Sequence, residues 1–208
     1  MSASAPPTGP RAGLYALIAA PALYYAALLV SSSLYPGYSH RIQYASELGS
    51  ASAPWPWLFN GGVLLSGMAA ILGAVSLYRA LRVRGSGAVL PALLALSIGL
   101  HGVGFLFGGW FPMPDDRHGG YGLGLAVLAG PGLAALAMRG APPALRWVSR
   151  VLIVNAVAMW LLFALMIGVG ALVTQANVGL FQRAFSLTVL PWLGLLGWAV
   201  ARWPRSRA

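Results

Sequence analysis

Residues 12–34 read AGLYALIAAPALYYAALLVSSSL. These 23 residues carry no charged side chain, and a bilayer core takes about 20 apolar residues of α-helix. In lipid such a helix satisfies its backbone internally, so an apolar surface on every side is no liability. Working outward, five more runs of the same kind follow, at 58–78, 88–110, 120–138, 151–174 and 185–201. None holds Arg, Asp or Glu well inside, as expected where a charge at a helix centre costs about 2.5–3.5 kcal/mol.

Composition agrees. The chain has 208 residues, 59% hydrophobic and 8% charged, against about 25% charged in soluble domains. It has no cysteine, which excludes disulfides, thiol catalysis and cysteine-ligated metals. The net charge is +10, and every cation is arginine. The arginines lie between apolar runs rather than on one folded face, which argues against nucleic acid as a partner. With the N-terminus inside, Arg11, Arg79, Arg82, Arg84, Arg139, Arg146, Arg150, Arg202, Arg205 and Arg207 all fall on the inner side. Only Arg41, Arg117 and Arg183 fall outside, together with all three acids, Glu47, Asp115 and Asp116. The positive-inside rule selects this orientation, and the inner arginines suit anionic lipid headgroups.

The expectation is an all-α integral membrane protein. It is a six-helix transmembrane bundle, N-in/C-in, with a short interfacial helix in the first outer loop. Residues 1–208 form a single transmembrane domain in the plasma membrane, with 1–10 as a flexible tail and both termini cytoplasmic. The first run is longer than the roughly 7–15 apolar residues of a signal peptide, so it reads as a retained helix. Cleavage would leave five helices and an outside N-terminus. Short basic inner connectors favour antiparallel neighbours and an up-down arrangement. Gly104 and Gly108, and Gly120 and Gly124, have the spacing that lets helix backbones approach. Pro21 and Pro131 fall inside helices and should kink them. No internal repeat supports an inverted-repeat transporter.

The outer loops hold the scarce chemistry. In the first, Pro36-Gly37 is a turn signal, Ser39 an N-cap and Gly49 a helix stop. His40, Gln43, Tyr44 and Glu47 then share one helical face, and Trp55 and Trp57 anchor the interface. The second loop, FPMPDDRHGG, sets Asp115, Asp116, Arg117 and His118 side by side. These are acid–base groups, but they lack the spacing of a zinc or two-metal motif, so no metal or cofactor is expected. The third loop offers Gln175, Asn177, Gln182 and Arg183. Arg183 has no acid nearby in sequence, and a half-buried Arg needs a partner. The three loops are therefore expected to meet, with Arg183 or Arg41 facing Glu47 or the Asp pair. Three polar residues lie within or near helices. They are His101 in the third, Asn60 near the outer start of the second, placed to pin the first loop, and Asn155 in the fifth.

YPGYSHRIQYASELGS, then LFNGGVLLSGM, then GVGFLFGGWFPMPDDRH together resemble the prokaryotic membrane family known as domain of unknown function 998. The landmarks are Ser46-Glu47-Leu48-Gly49, Asn60, and the turn Phe111-Pro112 with Asp115 or Asp116. The resemblance implies a six-helix polytopic protein without an assigned activity. The chain is more distantly similar to the Frag1/DRAM/Sfk1 group, which is linked to lipid handling.

Three functions follow as expectations. The first is a non-enzymatic membrane protein whose outer polar cluster (His40, Ser46, Glu47, Asn60, Asp115, Asp116, His118, Arg183) organises loops or binds a lipid headgroup or partner. Membrane lipid, a second copy of the chain and another membrane protein are the partners this admits. The second is a hydrolase or transferase acting on lipid at the outer leaflet, with Ser39 or Ser46 as nucleophile. The third is a transporter or channel, disfavoured because ion coupling usually needs carboxylates inside the bundle.

Overall fold

A computed structural model describes residues 9–204. The expected tail at 1–10 lies outside the described residues up to position 8, as do Arg205 and Arg207; Gly9 already begins a helix. Among the described residues there is no strand, and six segments are long and apolar enough to cross a membrane: Ala12–Ser33, Pro56–Arg82, Val89–Trp110, Asp116–Met138, Pro143–Met166 and Val178–Arg202. The all-α, six-span architecture expected from hydropathy is present.

Three spans are single α-helices at the expected places. They are α1 (Gly9–Ser33), α2 (Pro56–Arg82) and α3 (Val89–Trp110). α2 packs along α1 on one side and α3 on the other, and α1 also packs on α7 (Pro191–Arg202), which closes the bundle. Lipid provides no hydrophobic drive for helix pairing, so close van der Waals contact must do so. Small residues permit it. A Cβ at Gly67 would lie 2.7 Å from the Gly102 carbonyl, and one at Gly197 2.8 Å from that of Leu14. α7 thus lies against the stretch of α1 that contains Pro21, and α1 continues through that proline as one helix.

The fourth span departs from expectation. Residues 120–138 do not form one α-helix. Asp116–Ala129 is wound mainly as 3-10 helix, with left-handed φ at Gly120 (54°), Tyr121 (52°) and Gly122 (78°); α4 proper is only Gly130–Met138. Nine α-helical residues reach about 14 Å, half of a bilayer core. The tighter, longer-rising 3-10 stretch covers the rest. The cause is the glycine-rich sequence and its contact with α3. A Cβ at Gly104 would sit 2.8 Å from Gly124 Cα, and one at Gly120 3.2 Å from Gly104 Cα. The paired glycines do bring two backbones together, but only one of those backbones is an α-helix. Pro131 caps the start of α4 instead of kinking an interior, since a missing N–H is harmless in a first turn.

The fifth and sixth spans shift their ends. α5 runs Arg146–Met166, not 151–174. Its first two turns hold Arg146 and Arg150, whose long stems let the charge reach water from a helix end. Left-handed Gly168 (φ 97°) and Gly170 (φ 78°) stop it early despite an apolar sequence. The sixth span starts at Val178 and breaks into α6 (Val178–Val189) and α7, because Pro191 cannot donate to the preceding turn. Gln182 and Arg183 therefore sit on a helix rather than in a loop.

The core is uneven. Toward the arginine-bearing end, Leu14, Leu17, Leu77, Leu81, Leu193 and Val200 are completely buried. There Arg84 donates to the carbonyls of Ala80, Val200 and Trp203, closing the C-terminal ends of α2 and α7. Toward the opposite, loop-bearing end packing thins. No residue of α5 after Met159 is buried, nor any of α6 between Gly179 and Val189.

Candidate functional site

The first loop lies across this thin end, and its backbone is tied to α6. The expected short helix of the first loop is present, as a 3-10 turn, and ends at Gly49 as expected, but it begins at Ala45 rather than after Ser39. The backbone groups that a longer helix would use are engaged elsewhere. The Arg41 carbonyl accepts from Leu180 N (3.0 Å), the Gln43 carbonyl from the Arg183 guanidinium (2.7 Å), and Ala45 N donates to Gln182 Oε1 (2.7 Å). Gly179 makes the approach possible, since a Cβ there would lie 2.4 Å from the Gln43 carbonyl. Of the expected one-face set, Gln43 and Glu47 do pair at i, i+4 (3.0 Å), while His40 stays exposed.

Arg183 is the hub. Its guanidinium donates to the carbonyls of Gln43 and Gly179, to Gln182 Oε1 and to the Tyr38 hydroxyl, which itself donates to the Tyr44 carbonyl (3.0 Å). The expected ion pair with Glu47 or the Asp pair does not form. Glu47 Oε1 instead accepts from Tyr44 N (2.7 Å) and caps its own turn, and Arg41 donates to the Ala176 carbonyl. Neutral carbonyls supply what a carboxylate was expected to supply. Near this charge, burial raises the Tyr38 phenol pKa despite Arg183's opposing pull, and partial desolvation, aided by Arg183, lowers that of His40.

The second loop is organised within itself. Asp115 forms the only ion pair found among the described residues, with Arg117 at 2.7 Å, and the pair holds the carboxyl down at about 2. Arg117 also lies over the Phe111 ring (3.9 Å). His118 Nδ1 faces the Phe111 carbonyl at 2.9 Å, and Asp116 is exposed. This loop reaches the first through Ser46 Oγ on Met113 sulfur (3.0 Å). Asn60 donates to the Gly49 carbonyl (2.9 Å), pinning the first loop from α2 as its position suggested. Among the described residues no three of His, Asp and Glu gather as a metal site.

The three regions thus meet through the Arg183 and Arg41 guanidiniums on backbone carbonyls, Ala45 N on Gln182 Oε1 and Ser46 on Met113 sulfur, with no ion pair between them among the described residues. Beneath the junction is a cavity of about 240 Å³. Ser46 and His118 border it from the first and second loops, Gln182 from α6, and Tyr24, Phe59 and Phe105 from α1, α2 and α3. Glu47, Asp115, Asp116 and Arg183 do not line it. His101 lies deeper, with Nδ1 on the Gly124 carbonyl (3.2 Å) and a buried Nε2 that meets no partner among the described residues. Asn155 ties α5 to α6 at the Thr188 carbonyl. Tyr24, Tyr38 and Gly179 escaped the sequence reading. Tyr38 sits in the same YPGYSH that holds His40, but nothing in its neighbours marks it as Arg183's partner.

Residues 18–199, most of the chain and nearly all of the bundle, match the family model described as "Protein of unknown function (DUF998)". The chain belongs to the DUF998 family. No curated protein and no solved structure matches it. In this DUF998 chain the residues that carried the resemblance are ones that stitch loops together. Glu47 caps a turn, Leu48 is buried, Gly49 receives Asn60, and the Phe111 carbonyl receives His118.

Proposed function

We propose that this DUF998 protein is a non-catalytic binding protein of the plasma membrane, with both termini cytoplasmic, whose first outer loop is held as a lid over a site for the polar part of a membrane lipid. The observation that carries this reading is the cavity under Ala45 and Ser46, bordered by polar side chains from the first two loops and from α6 at the end of the bundle where packing is thinnest. Pockets at the end of a bundle with a few converging polar groups are where ligands bind. The ten-to-three distribution of arginines supports placing this end outside. The groups that would serve a hydrolase are engaged otherwise. Ser46 bonds to sulfur and not to His118, and Asp115 is held by Arg117. A nucleophile and its base need to be within about 3 Å or share a water.

The test is photocrosslinking in membranes with a lipid that carries a diazirine beside its glycerol. Adducts should map to 40–50, 111–119 or 178–183. Adducts confined to the outward faces of the helices would end this reading.

A further inference from the structure

The polar atoms around the cavity are each half used, and what remains free has a definite character. Gln182 Oε1 accepts from Ala45 N and from Arg183, which leaves the two amide N–H groups without a partner among the described residues. His118 Nδ1 faces a carbonyl, so in the neutral ring it must carry the proton, and Nε2 is a bare acceptor. Ser46 gives its proton to Met113 sulfur and keeps its lone pairs. The Tyr24 hydroxyl bonds to no described residue. The wall therefore offers neutral donors and neutral acceptors side by side. No carboxylate or guanidinium lines it: Arg183 sits behind Gln182, donating to Gln182 Oε1 as well as to the Gln43 and Gly179 carbonyls, and Glu47 is spent on Tyr44 and Gln43.

A carboxylate or phosphate in such a place would lose hydration while meeting no guanidinium directly, since Gln182 stands between it and Arg183, and that is costly. A group with a hydroxyl and a carbonyl would meet both sets of free atoms. The volume of 240 Å³ is that of about eight waters at roughly 30 Å³ each, enough for a glycerol carbon chain with one ester. Phe59, Val63 and Phe105 supply an apolar wall for the first methylenes. Resting on the lidded-site reading above, we infer that the cavity takes the uncharged hydroxyl-and-ester end of a neutral glyceride, and not a phosphate or carboxylate headgroup.

Gly108 gives a clean probe. It borders the cavity, and the nearest atom to a Cβ there is the His118 carbonyl oxygen at 3.7 Å, so the methyl of Gly108→Ala fits and the longer side chain of Gly108→Leu takes up space beside His118. Thermal melting is followed in phosphatidylcholine nanodiscs with added dioleoylglycerol, with phosphatidic acid of the same chains, or with glycerol. Dioleoylglycerol should raise the melting temperature of the wild type, phosphatidic acid should not, and Gly108→Leu should abolish the shift while melting normally without added lipid. If Gly108→Leu does not fold, Gly108→Ala should reduce the shift. A shift with glycerol alone keeps the uncharged chemistry and assigns it to a soluble polyol. Phosphatidic acid matching dioleoylglycerol, with both shifts lost in the variant, overturns the uncharged class but leaves the lidded site. No shift with any ligand, or shifts that persist in the variant, overturns both.

Discussion

At the scale of the residue, Arg183 shows how a lone cation is accommodated near a membrane surface. Its planar fork meets two backbone carbonyls, one amide and one phenol, and thereby fixes residues 38–45 against α6. Hydrogen bonds from a charged donor contribute about 1.5–3 kcal/mol each, and partial exposure keeps the sum well below full additivity. Arg183→Ala should cost about 3 kcal/mol, or roughly 6–12 °C in melting temperature at about 2–4 °C per kcal/mol. Arg183→Lys should recover little of this, because a compact ammonium cannot span the four divergent acceptors that the guanidinium fork reaches. Wild-type melting in the lysine variant would show that charge, not fork geometry, holds the loop. The sequence flagged Arg183 correctly as lacking a nearby acid. Its true partners were illegible because backbone carbonyls have no letter; a search among carboxylates was bound to miss them. Asn60 was legible for the opposite reason. It lies a few residues beyond the loop, so a single short side chain can reach back to Gly49.

At the scale of the element, apolar length located every span, whereas the internal geometry of the later spans depended on contacts. The glycines of GVGFLFG and GGYGLG advertise close approach, and the approach is there. That the partner of α3 is 3-10 helix with three left-handed residues follows from how tightly Gly104 meets Gly120 and Gly124, which spacing alone does not reveal. Similarly, Gly168 and Gly170 end α5 inside an apolar run, because a positive φ outweighs hydropathy in deciding where a helix stops. Two glycines one turn apart on α3 should therefore respond differently to the same change. Gly104→Ala pushes a methyl 2.8 Å from a backbone carbon that can yield only by moving the whole fourth span. Overpacking of this kind costs about 1–3 kcal/mol. Gly108→Ala meets only ordinary contacts and should be neutral or slightly stabilising through helix propensity. Denaturation of both variants in the same detergent checks this, and equal losses at the two sites would show that the α3 contact does not set the path of residues 116–129.

At the scale of the whole molecule, the two ends differ in kind. The end bearing Arg79, Arg82, Arg84, Arg146 and Arg150 is closely packed and short-looped; the other carries all three acids, the long first loop and the cavity. Placing the lidded end outside rests on the arginine bias, a rule about insertion that no intramolecular contact tests. The absence of cysteine makes a direct measurement simple, since any introduced thiol is the only one. Ser52 is exposed in the first loop, and Gly87 is exposed in the connector between α2 and α3 with open space around its Cβ. In intact cells a membrane-impermeant maleimide should label Ser52→Cys and leave Gly87→Cys unlabelled until the membrane is opened. The reverse pattern would turn the protein over, put the cavity in the inner leaflet, and redirect the search for its ligand to lipids of the cytoplasmic face.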